Sequence, residues 1–264
     1  MLTRHCYITV LFLVLPITCQ ERNTTYKADI RDENHKVMKY IAVTLFIIFL
    51  LYGITSNTVM AISLFRRGKE RYYGRGFLLI SIQLIICNFM AFQPQMFHVL
   101  PEILQTENKS NANTTAWIGI AFANCKSFSF FAILNFSLLL ALNRFVAIAL
   151  PKCNDIFESR RLYFLIAFVW LSLLAVQTAD SYYCIRKFNV WNLSWVKYYA
   201  KSGAKHWLRV RNIWKLTIPN AMFVMYFAIF CNVRRKRRRI SANENETNGM
   251  DISHYEWSML TQAV

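Results

Sequence analysis

Five apolar runs, each close to the length that crosses a bilayer, divide this chain and leave little of it for any other kind of core. They are Tyr40–Phe65, Phe77–Leu100, Trp117–Leu142, Leu162–Tyr183 and Ile213–Val233. A helix needs ~20 residues to span ~30 Å of hydrocarbon. A sixth apolar segment opens at Glu256 and runs to Val264. The expected fold is therefore an all-α membrane protein.

Composition agrees. The 264 residues are 55% apolar, 16% aromatic and 17% charged, too apolar for a soluble domain of this length. A net charge of +17 would suit a nucleic-acid partner. The basic residues, however, lie in short blocks between apolar runs, which argues against one. No Gly-rich phosphate loop, Cys-x-x-Cys pair or His-Glu-x-x-His spacing occurs, so neither a cofactor nor a metal is expected.

The N-terminus carries Arg4 and His5, then a short apolar run from Tyr7 to Ile17. That run is too short to span, and residues 1–19 are expected to be a signal peptide. Residues 20–37 would form an extracellular tail, and 38–264 the membrane domain.

Orientation follows from the loops. Arg66, Arg67, Lys69, Arg71 and Arg75 follow the first run; Lys152, Arg160 and Arg161 follow the third; Arg234–Arg239 follows the fifth. Basic short loops stay cytoplasmic, which predicts a multi-pass plasma-membrane protein with its N-terminus outside and basic segments against membrane lipid. The loop after the fourth run is an exception, with Arg186, Lys187, Lys197, Lys201 and Lys205 on the outer side. Sequons at Asn23, Asn108, Asn113 and Asn192 fall outside and are glycosylation candidates, whereas those at Asn135 and Asn245 should be silent.

Polar residues inside apolar runs need partners, because lipid offers none. Asn57 and Asn88 should therefore face other helices, and Pro94 and Pro219 should kink their spans. Asn143-Arg144-Phe145 closes the third run where it re-enters water. Arg144 there either snorkels to lipid phosphates or makes a functional contact. Lys126 precedes Arg144 by eighteen residues, about five helical turns, so both lie on one face. Its partner would be Asp180 or an acidic ligand, unless it snorkels outward. His98, Gln95 and Gln93 are further candidates for the same outer cavity.

Leu142-Asn143-Arg144-Phe145-Val146-Ala147-Ile148 with Pro151, then Ile156-Phe157, Trp170, Tyr183-Cys184, Trp191, Trp195 and Pro219, with Glu256 and Gln262-Ala263 at the sixth segment, resembles the nematode serpentine chemoreceptors of class x. These are divergent rhodopsin-like G-protein-coupled receptors. The resemblance runs from about residue 38 to the end and implies an incomplete seven-transmembrane bundle with five full spans and the start of a sixth. It implies an outer cavity for a small environmental or pheromone ligand, and coupling through Asn143, Arg144 and Phe145 to a heterotrimeric G protein in a form carrying the remaining spans. The chain alone is expected not to activate a G protein, and to associate with another receptor chain. Asn143 stands where such receptors usually carry Asp, which weakens any resting ion pair with Arg144. Receptors of this architecture also staple the third span to the second outer loop, which here would join Cys125 to Cys184; two free buried thiols are the alternative.

No nucleophile–base pair is evident, and an enzyme is not expected. The leading expectation is a receptor. The alternative is a non-signalling membrane subunit or a transporter component.

Overall fold

The computed structural model describes residues 36–68, 74–104, 114–150, 157, 160–189, 194–199 and 203–243, all within one compact unit, Asp29–Asn248. The expected signal peptide, the sequons at Asn23, Asn108, Asn113 and Asn192, and the segment from Glu256 lie outside these residues. The elements are α1 (Lys36–Gly68), α2 (Arg75–Pro94), a π-helical segment (Gln95–Val99), α3 (Leu100–Leu104), α4 (Thr114–Ala149), α5 (Arg161–Tyr183), β1 (Cys184–Asn189), β2 (Ser194–Tyr199) and α6 (Ala204–Asn243).

Five helical stretches are long and apolar enough to cross a membrane: Lys39–Arg66, Arg75–Leu104, Trp117–Ala149, Arg161–Tyr183 and Ala204–Arg235. Their outward faces carry bulky apolar side chains, among them Phe49 and Leu51 on α1, Phe164 and Phe168 on α5, and Phe223 and Phe227 on α6. Such continuous exposed apolar surface is unfavourable in water and favourable in lipid. The protein is a membrane-embedded helix bundle.

Helix α4 is the central strut and packs against α2, α5, α6 and β1. Its Phe131, Ala132, Phe136 and Leu139 are buried with Ile80 and Cys87 of α2 and with Leu162 and Leu173 of α5. Lipid tails are as apolar as leucine, so the helices are held by close packing and by hydrogen bonds between them rather than by exclusion of water. Both devices are present. Gly53 of α1 lets the Phe92 ring of α2 approach so closely that a Cβ there would sit 2.7 Å from Cζ. Asn88 donates its amide to Asn57 Oδ1 at 2.8 Å, and Asn57 donates to the Gly53 carbonyl at 2.8 Å. The two amides thus face each other across α1 and α2, as their position in apolar runs required. Trp170 of α5 donates to Gln83 Oε1 at 3.1 Å and packs on Phe128 and Phe136.

Two features depart from the sequence expectation. First, the stretch after α5 is an antiparallel hairpin. Side chains alternate along a strand. In β1, Cys184 and Arg186 are buried while Ile185 is exposed, and Phe188 lies opposite Trp195 of β2. Second, α6 begins at Ala204, nine residues before the apolar run at Ile213. Ala204, Trp207, Arg211, Lys215 and Ile218 recur every three or four residues and share one helix face. Ala204, Arg211 and Ile218 of that face are buried.

Pro94 is buried at the end of α2 and has no N–H to donate. The helix continues in the wider π register over Gln95–Val99, directly after the proline. This turn carries His98.

Candidate functional site

Asp180, in the last turn of α5, gathers the polar groups at the hairpin end of the bundle. Its side chain is 1% exposed. Arg186 of β1 donates to Oδ2. Arg211 of α6 donates from Nη1 to Oδ1 at 2.8 Å and to Oδ2 at 3.1 Å. Trp207 Nε1 donates to Oδ1 and Ser127 Oγ of α4 donates to Oδ2, each at 3.1 Å. One carboxylate offers about four lone-pair sites, so its accepting capacity is used up. Four elements are tied together by one side chain.

The charge is lopsided. Arg186 and Arg211 are 7% and 2% exposed and share this single carboxylate. Lys215 lies within electrostatic reach of both arginines, its Nζ 4.8 Å from the Phe130 ring and 5.7 Å from the Phe131 ring. Lys126 feels Arg186 from the other side. Three cationic side chains, Arg186, Arg211 and Lys215, therefore act on one anionic one, with Lys126 near Arg186 as a fourth. Burial pushes the Arg186 guanidinium below its ordinary value; Asp180 opposes that shift and Arg211 reinforces it. The C-terminus of α5 supplies some relief, because helix C-termini carry partial negative charge that falls off within a turn.

An aromatic group adjoins this cluster. The Lys126 ammonium lies 5.4 Å from the centre of the Trp195 ring. His98 lies 5.5 Å from that same ring, 6.1 Å from Phe122 and 6.3 Å from Phe188. Gly119 permits the approach, since a Cβ there would meet His98 Cε1 at 3.1 Å.

At the far end of α4, Asn143 is buried and Arg144 is half-buried, with its guanidinium 5.3 Å from the Phe77 ring. Gly76 lets the Phe157 backbone come close: a Cβ there would sit 2.7 Å from the Phe157 carbonyl oxygen and 3.5 Å from Asn143 Oδ1. Arg75 donates to the Tyr163 hydroxyl at 2.9 Å. Phe145 packs against the main apolar core.

The sequence candidates thus fall into two sets. Lys126, Asp180 and His98 gather at the hairpin end, and Asn143, Arg144 and Phe145 at the other. Gln95 is half-buried in the π segment and Gln93 is exposed. Asp180 is not the ion-pair partner of Lys126, because Arg186 and Arg211 occupy it. Arg186 read only as an outer-loop charge, and Arg211, Trp207 and Lys215 were not among the candidates. The recurrence of Trp207, Arg211 and Lys215 at four-residue intervals before and into the fifth run was the available signal.

The expected Cys125–Cys184 bridge is not formed; both thiols are free. Cys125 sits about three turns inside α4 and directs Sγ to the Met90 carbonyl of α2 at 3.7 Å, whereas Cys184 is buried at the start of β1, beyond the end of α5. Among the described residues no group of three His, Cys, Asp or Glu is placed to hold a metal.

Residues 28–255 match the family described as a protein of unknown function, DUF621. The chain belongs to this family. No curated protein matches it. DUF621 is an uncharacterised family and not a serpentine chemoreceptor family, which overturns the resemblance drawn from Asn143-Arg144-Phe145, Trp170 and Tyr183-Cys184. The structure gives these residues uses open to any helical membrane protein. Trp170 packs on phenylalanines and bonds Gln83, Arg144 stacks near Phe77, and Cys184 starts a strand.

Proposed function

We propose that this DUF621 protein is a plasma-membrane receptor that takes a small external ligand at its hairpin end. The signal passes along α4 to Asn143, Arg144 and Phe145, which meet a heterotrimeric G protein inside the cell. One observation carries the reading. A single central helix carries both polar groups, Lys126 and Ser127 about three turns inside its start and Asn143 and Arg144 near its other end. Between them its Phe131, Ala132, Phe136 and Leu139 are packed on α2 and α5. A close-packed strut transmits displacement, because cores shift between discrete packings rather than deform smoothly.

A second reading is a transporter component or non-signalling subunit. The break at Pro94 and its π segment supports it, since transporters use interrupted helices near their sites.

Binding of G protein separates the two. The chain held in nanodiscs is expected to retain at least one class of nucleotide-free heterotrimer, and Arg144→Ala to reduce the retained amount by about tenfold, the effect of ~1.4 kcal/mol. Equal retention by both forms, or none of any class, rules the receptor out and leaves the second reading.

A further inference from the structure

The Arg211 guanidinium is half used. Nη1 serves Asp180, while Nε and Nη2 are buried with no hydrogen-bond partner. Those two nitrogens form the side-on edge of the guanidinium, whose parallel N–H groups match the two oxygens of a carboxylate. Buried donors of a charged group are costly to leave unmade. Asp180 cannot supply the missing acceptor, being filled by Arg186, Arg211, Trp207 and Ser127. Lys215 lies one turn along the same face of α6, and among the described residues no carboxylate other than Asp180 pairs with these cations.

We propose that the hairpin end is a binding site for a small organic carboxylate, held by the Nε/Nη2 edge of Arg211 with Lys215 as the second cation. Aromatic neighbours favour an organic body behind the charge. Phe130 and Phe131 flank Lys215, and Trp207 stacks with Tyr183 at 6.1 Å. A phosphate dianion costs more to desolvate in such surroundings. A lipid headgroup fits less well, because Arg211 is 2% exposed and turned away from the lipid-facing side of α6. The site deepens the receptor reading by naming the ligand class. Its test uses no G protein, so the two can fail separately.

The full chain in phosphatidylcholine nanodiscs is titrated at constant ionic strength with sodium benzoate, sodium hexanoate and sodium phosphate, following tryptophan fluorescence and unfolding temperature. At least one of the two carboxylates is expected to saturate and to raise the unfolding temperature, with phosphate at least tenfold weaker. Lys215→Met should weaken carboxylate binding at least tenfold while keeping the wild-type helical circular dichroism, and Arg211→Gln should abolish it. Where Arg211→Gln does not fold, Lys215→Met alone decides. The proposal is overturned by no saturable response to either carboxylate, by equal affinity in Lys215→Met, or by phosphate binding as tightly.

Discussion

Replacing Asp180 by alanine is expected to cost about 3–5 kcal/mol of stability, the largest loss of any single substitution in this protein. The side chain is fully enclosed, and its removal strands two buried guanidiniums, an indole N–H and the Ser127 hydroxyl at once. An unpaired buried charge is far costlier than a missing surface pair. Unfolding of the nanodisc or mixed-micelle protein by denaturant measures the loss. A second comparison isolates its cause. In an Arg211→Leu background the same Asp180→Ala change should cost markedly less, because one stranded charge is already gone. A single-mutant cost below about 0.5 kcal/mol, the range of an ordinary surface change, would mean that the cluster is solvated and does not bind the elements together.

Gly76→Val should be the second most damaging change, at about 1–3 kcal/mol. The added side chain meets the Phe157 carbonyl, a backbone atom that cannot rotate away as a side-chain tip would. Helix propensity cannot offset this, since valine gains only a few tenths of a kcal/mol over glycine in a helix. The added side chain also reaches toward Asn143, whose Oδ1 lies 3.5 Å from the Cβ position, so G-protein retention should fall together with stability. Gly74 is the internal control: nothing lies within 4 Å of its Cβ position, and Gly74→Ala should stay within about 0.5 kcal/mol of wild type. Similar melting curves for the two substitutions would show that Phe157 does not pack there.

The spans were legible because lipid imposes one rule on every spanning backbone, and that rule writes long apolar runs. The facing of Asn57 and Asn88 was legible for the same reason, as an amide in hydrocarbon must find a partner. The start of α6 was not. Lys205, His206, Arg209 and Arg211 hide the helix from a hydropathy criterion, although Trp207, Arg211 and Lys215 keep helical spacing. The hairpin was missed because its alternation is short, six residues in each strand, and basic residues interrupt it. Arg186 therefore read as an anomalous loop charge, when it is a buried partner of Asp180. Pairing was the hardest to foresee. Lys126 and Asp180 are the obvious opposite charges, yet the two arginines reach the carboxylate, and Lys126 rests over Trp195. Charge identity is written in the sequence, but which cation reaches the anion depends on where β1 and α6 bring their side chains.

A receptor needs the Asp180 cluster on the outer face of the plasma membrane and the Arg144 end on the inner one, and this can be measured directly. Epitope tags are placed between β1 and β2, after Trp191, and after Asn243, and antibody access is compared in intact and permeabilised cells. The Trp191 tag is expected to be stained in intact cells, and the Asn243 tag only after permeabilisation. Staining of both tags in intact cells, or of the Asn243 tag alone, would contradict the receptor reading.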